Sequence, residues 1–166
     1  LARDLGVTAP ALYDHFDSKD ALLRAVAAQG FRSLTEAIDA TGPRAIDRIR
    51  ERALSYVAFA AANPELFRLM FLFRADAVEL VDGHGFTVDN ELTAATEAFE
   101  QGAADLAVAI ADGDLDDRPV HDLAMILWAT THGVATLALS APSVAGSVID
   151  DVVDTVLAGL HPRSGV

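Results

Sequence analysis

LARDLGVTAPALYDHFDSKDALL, Leu1 to Leu23, reads as the second half of a helix-turn-helix followed by a connecting helix. Leu1, Ala2 and Leu5 fall on one helical face, and Gly6 supplies the backbone freedom that a tight inter-helix turn needs. Thr8 is placed to cap the next helix, and Pro10 sits in its first turn, where a missing N–H costs little. Leu12 and Phe16 lie four apart and face inward, which leaves Ala9, Pro10, Ala11, Tyr13, Asp14 and His15 to a partner. Asp17 and Ser18 then cap a third helix. Its apolar stripe of Leu23, Val26, Ala27, Phe31, Leu34 and Ile38 keeps helical spacing until Thr41-Gly42-Pro43.

The elements Leu5-Gly6-Val7-Thr8, Ala11-Leu12-Tyr13, His15-Phe16, Ser18-Lys19 and Leu22-Leu23, in this order and spacing, resemble the DNA-binding signature of the tetracycline-repressor (TetR-type) transcription regulators. The resemblance implies a positioning helix over Leu1 to Val7 and a recognition helix over Thr8 to Phe16. From Asp17 onward the chain would join this head to a regulatory domain. The resemblance also implies that Tyr13, His15 and Lys19 touch the DNA backbone; a phenol, an imidazole and an ammonium at a helix start each suit a phosphate. Thr8, Ala9, Pro10 and Ala11 occupy the leading end of the recognition helix, where short side chains let the backbone near base edges and a methyl group can meet a thymine methyl. Asp14 departs from the pattern, since a carboxylate facing phosphates is repelled unless a neighbour neutralises it or it accepts from a cytosine amino group. The helix expected before Leu1 is missing and the sequence begins at Leu rather than Met, so it reads as an excerpt lacking its N-terminus.

Composition sets the outer bounds. With 166 residues and 52% hydrophobic content the chain can bury a real core, and Ala, Leu and Val predominate over strand-type aromatics. Cysteine is absent, which excludes disulfides and thiolate metal sites and fits a reducing, cytoplasmic setting. The net charge of −13 is unevenly placed. The first 52 residues hold eight Lys/Arg against eight Asp/Glu, so the remaining four basic and seventeen acidic residues carry all of the excess. An acidic body with a comparatively basic head is compatible with turning that head toward DNA.

Downstream the chain reads as successive helices with no convincing strand. Ile46, Ile49, Ala53, Leu54, Val57 and Ala61 form one stripe with Arg44, Arg48 and Arg52 on another face, and Asn63-Pro64 ends that helix. The short segment from Glu65 to Arg74, with Phe67, Met70, Phe71 and Phe73, is the aromatic centre. Asp82-Gly83-His84-Gly85 carries a loop signature. A long Ala-rich helix follows, burying Leu92, Ala95, Phe99, Leu106 and Ile110 and ending near Asp112-Gly113. From Leu123 to Leu139 apolar residues surround the helix, interrupted by Thr130, Thr131, His132 and Gly133. Here Asp122, the central polar run and the lack of flanking Lys or Arg argue against a membrane span. The final stripe of Val144, Val148, Ile149, Val152, Val153, Val156, Leu157 and Leu160 has helical period, with Asp150, Asp151 and Asp154 facing away. The segment Leu127 to Gly133 is also similar to a Trp-His-Gly type of C-terminal domain found in one branch of the TetR-like regulators.

The expected fold is therefore all-α. A helix-turn-helix DNA-binding head, its first helix missing, spans residues 1–41 with the connecting helix, and a helical-bundle ligand-binding and dimerisation domain spans 42–166. Two apolar terminal helices suggest a homodimer through a four-helix bundle, which the resemblance also implies. Phe67, Met70, Phe71, Phe99, Trp128 and His132 are the candidate ligand contacts, lining an apolar cavity if the helices splay. The expected function is a DNA-binding transcriptional regulator, a repressor released from a palindromic operator by a small apolar or amphipathic ligand. Alternatives are a helical protein-interaction module and an all-α enzyme without DNA binding. The enzyme reading lacks a cysteine nucleophile, an HExxH motif, a glycine-rich phosphate loop and an acid–base pair. His84, His121 and His161 are scattered without i, i+4 pairing, so neither a metal nor a cofactor is expected, and no membrane partner.

Overall fold

A computed structural model describes residues 16–72, 78–81, 85–88 and 93–162. Among them are six helices: α1 (Lys19–Ala37), α2 (Ala45–Ala62), α3 (Pro64–Leu72), α4 (Thr93–Ala111), α5 (Val120–Ser140) and α6 (Pro142–Gly159). The fold class is all-α, as the sequence implies, but the expectation of no strand is corrected by one hairpin. Strands β1 (Val78–Val81) and β2 (Gly85–Val88) pair antiparallel with Val78 opposite Val88 and Val81 opposite Gly85. Of the loop signature Asp82-Gly83-His84-Gly85, Gly85 opens β2, and the other three residues lie outside the described ones. The hairpin was hidden because four-residue strands show too few alternations to establish a period of two.

Local chemistry sets the helix ends. Ser18 caps α1, its Oγ accepting from the Ala21 N–H at 3.1 Å. The helix stops at Ala37, short of Thr41-Gly42-Pro43, with the Ile38 N–H donating to Leu34 O. Glu51 holds the turn that follows by accepting from the backbone N–H groups of Thr41 and Gly42. Asn63 ends α2 and Pro64 opens α3, where its missing N–H costs little. Gly113 follows α4 at φ +78°, a left-handed conformation that glycine adopts without steric cost.

Helix α2 is the hub, packing against all five other helices. It buries Ile49, Ala53, Tyr56, Val57, Phe59 and Ala60, and full burial of a large apolar side chain contributes about 1.5–3 kcal/mol. Helix α1 lies on α3, and at Gly30 the contact is close enough that a Cβ would stand 2.7 Å from Met70. Helix α5 is long and apolar enough to cross a membrane by length and composition, yet Leu123, Ala124, Thr131, Val134, Ala135 and Ala138 are buried as it packs on α2, α4 and α6.

Ion pairs fasten the hub to its neighbours. Arg50 of α2 donates to both Asp150 (2.6 Å) and Asp154 (2.7 Å) of α6, so two of the acids that face away from the α6 stripe meet α2 instead of solvent alone. The hydrogen bond from Arg50 holds the Asp154 carboxyl below the usual carboxylate range, so this contribution is present at neutral pH and lost as pH falls through the lowered value. Asp154 is exposed, and solvent screening keeps the effect small.

Candidate functional site

All six helices contribute to one cavity of about 140 Å³. Phe31 and Leu34 enter it from α1, and Ile38 from the C-cap of that helix; Ile49, Arg52, Ala53 and Tyr56 enter from α2 and Phe71 from α3. Helix α4 adds Phe99, Gly102 and Leu106 with Thr96 and Glu100, α5 adds Ala124, Leu127, Trp128 and Thr131, and α6 adds Val153. The surface is mainly apolar with few polar groups, the usual make-up of a small-molecule site. An apolar cavity of roughly 150 Å³ holds a single benzene-sized ring.

Of the six residues anticipated as ligand contacts, Phe71, Phe99 and Trp128 line this cavity. Phe67 and Met70 do not: at 2% and 0% exposure they belong to the core behind it. His132 also stands behind the lining, stacked on Phe67 (5.5 Å) and Trp128 (5.3 Å), with Phe71 edge-on at 4.5 Å. Its Nδ1 shares a 3.0 Å hydrogen bond with Tyr56 Oη, so His132 fixes the orientation of three cavity-wall rings, those of Tyr56, Phe71 and Trp128. Its structural task explains why a polar ring sits in an apolar helix.

The polar end of the cavity was not anticipated. Asp105 of α4, 8% exposed, accepts from Arg48 Nε (2.8 Å) and from Arg52 Nη2 (3.0 Å). Arg52 Nη1 donates to Ile38 O at the end of α1 (3.0 Å), where a cation favours the helix dipole, and Arg48 Nη1 donates to Gly42 O (3.1 Å). One carboxylate therefore serves two guanidiniums, and Arg52 Nε is left buried without an acceptor. A sequence signal existed: Asp105 lies three residues after Gly102 and four before Ala109, on the inward side of α4, while Arg48 and Arg52 are one turn apart on α2.

At the other end of α1, Lys19 is the exposed first residue of the helix. An ammonium there opposes the helix dipole in the unbound protein, whereas an anion at that helix start would be favoured by both. Thr8, Ala9, Pro10, Ala11, Tyr13 and His15 lie outside the described residues.

Residues 49–160 match the family model described as Tetracyclin repressor-like, C-terminal domain, and residues 1–26 match that of bacterial regulatory proteins, tetR family. The chain belongs to the TetR family. A solved structure of a protein with unknown function from Rhodococcus sp. RHA1 is 30% identical, with a TM-score of 0.74 over 97% of this chain and 82% of that one. A putative tetR family transcription regulator from Shewanella sp. PV-4 (18% identity, TM-score 0.69, covering 98% and 85% of the two chains) shares the fold. So does the TetR family transcriptional regulator PfmR from Thermus thermophilus (18% identity, TM-score 0.71, 97% and 87%). No curated protein matches the chain. As a TetR-family protein this chain is a transcriptional regulator, and α1 of this TetR-type regulator runs from the segment matched by the head model to the cavity.

Proposed function

We propose that this regulator is a cytoplasmic, non-enzymatic repressor that binds a palindromic operator as a homodimer and is released by a small apolar or amphipathic ligand. The head comprises residues 1–41 and the ligand-binding and dimerisation body residues 42–166, with α1 as the joint. One observation carries the reading: the helix that leads from the head supplies Phe31, Leu34 and its C-cap Ile38 to the cavity wall. A ligand filling that cavity bears directly on α1, and it changes DNA affinity to the extent that it prefers one α1 position over another. Thr8, Ala9, Pro10 and Ala11 would read bases, while Tyr13, His15 and Lys19 would hold phosphates. Selection of bound DNA from a random pool tests the reading, with an enriched palindrome expected and the absence of any enriched sequence refuting it.

Lys19→Ala is expected to weaken binding about equally for all DNA sequences and to flatten the salt dependence by about one phosphate contact. Titrations at several salt concentrations check this; unchanged affinity and slope would remove Lys19 from the phosphate backbone.

For the dimer, the last two helices supply the proposed seam. Ile126 and Leu137, each 41% exposed, share one face of α5 with Thr130 and the exposed Gly133, beside which a Cβ would meet nothing within 4 Å. A face of large apolar residues around a glycine suits close helix approach across a two-fold axis. Val152 and Val156, by contrast, pack partly against their own core. The double variant Ile126→Glu/Leu137→Glu is expected to sediment as a folded monomer, and an intact dimer of normal stability would place the seam elsewhere.

A further inference from the structure

The orphaned nitrogen at Arg52 says what kind of ligand the cavity takes. A cavity with wholly apolar walls selects by shape alone, but here Arg52 brings to the wall a guanidinium whose Nε is buried and has no acceptor. Its other two nitrogens each make one bond, Nη1 donating to Ile38 O and Nη2 to Asp105. Within the cluster Arg48 and Arg52 face the single carboxylate of Asp105, so one positive charge is in excess. A buried charged donor without an acceptor is costly, and a charge-assisted bond to an anion is the strongest way to satisfy it. Glu100, the other charged residue of the lining, is exposed to solvent.

We propose that the effector is a compact aromatic or alicyclic monocarboxylate whose ring fills the apolar part of the cavity and whose carboxylate accepts from the Arg52 guanidinium. The ring meets Phe31, Phe71, Phe99 and Trp128, and the volume admits about one six-membered ring. The carboxylate supplies the acceptor that Asp105, shared between two arginines, leaves unmet. The same guanidinium holds the terminal carbonyl of α1, so a ligand that draws on Arg52 acts on the helix leading to the head. This specifies the chemistry of the proposed effector site and rests on the reading of the cavity as that site.

Titration calorimetry of the full chain at neutral pH with benzoate, benzyl alcohol and benzylamine tests it. All three carry the same ring and differ in head group. Benzoate is expected to bind about tenfold or more tightly than benzyl alcohol, as expected for a hydrogen bond to a charged group, with benzylamine weakest. Arg52→Lys is expected to bring benzoate down to the level of benzyl alcohol, while Arg48→Lys, which alters the same cluster away from the cavity, retains the preference. The comparison among ligands on the unaltered protein stands even if the Arg52 variant fails to fold. Equal affinity for benzoate and benzyl alcohol would overturn the carboxylate assignment and leave the cavity as a ligand site. Binding of none of the three would overturn both.

Discussion

Asp105→Ala is expected to lower the stability of the folded chain by about 3–5 kcal/mol, the range seen when one partner of a buried ion pair is removed. Asp105 is 8% exposed and is the shared acceptor for Arg48 and Arg52, whose side chains are themselves 24% and 14% exposed. Truncation leaves two largely desolvated guanidiniums facing one another without an anion. It also releases the link between α2 and α4 beside the cavity. For a chain of this size the loss corresponds to a fall in Tm on the order of 10 °C, measurable by calorimetry or circular dichroism. A change below about 1 kcal/mol would mean that water solvates the two arginines well enough for the pair to act as a surface salt bridge.

Two glycines on cavity-forming helices should respond oppositely to leucine. At Gly30, 2.7 Å from a Cβ position to the Met70 side chain leaves no room, and Met70 is fully buried. Gly30→Leu must push α1 away from α3 and is expected to cost about 3 kcal/mol or more through overpacking. At Gly102 a Cβ would find its nearest neighbour, Arg52 Cδ, at 3.9 Å, an ordinary contact, and the new side chain would extend into the cavity. Gly102→Leu is therefore expected to hold or raise stability, since leucine is a better helix former than glycine by somewhat under about 1 kcal/mol. It should at the same time abolish ligand binding. Thermal melts and ligand titrations of the two variants provide the check; equal destabilisation of both would show that the space beside Gly102 closes in solution.

Much of this was legible in the chain because helices announce themselves by period and by caps. Ser18, Asn63-Pro64 and Gly113 mark helix ends in sequence and in structure alike, and the stripe of Phe31, Leu34 and Ile38 faces inward as its spacing requires. The cavity was only partly legible. An aromatic-rich segment flags a region where an apolar ligand can bind, but which rings face space and which face each other depends on how α3 rotates against α1 and α5. Thus Phe71 lines the cavity while Phe67, four residues earlier and one turn away, fills the core. The Arg48–Asp105–Arg52 cluster was only faintly legible for a similar reason: Asp105 lies more than fifty residues from both arginines, and a charge at the edge of an apolar stripe looks the same whether it faces solvent or another helix. The hairpin escaped because its strands are too short to carry a pattern of their own.

Reciprocal titration of the full chain tests whether the cavity is an effector site linked to the DNA-binding head. The affinity of benzoate, or of whichever ring-sized acid binds most tightly, would be measured with and without a palindromic DNA selected from a random pool. DNA affinity would be measured with and without the acid. Linkage requires the two factors to be equal, and a regulatory effect of useful size makes them about fivefold or more. Such a matched pair is expected in the unaltered protein, with no change of DNA affinity on adding the acid to Gly102→Leu. Acid affinity that is identical in the presence and absence of DNA, while both partners bind, would contradict the link.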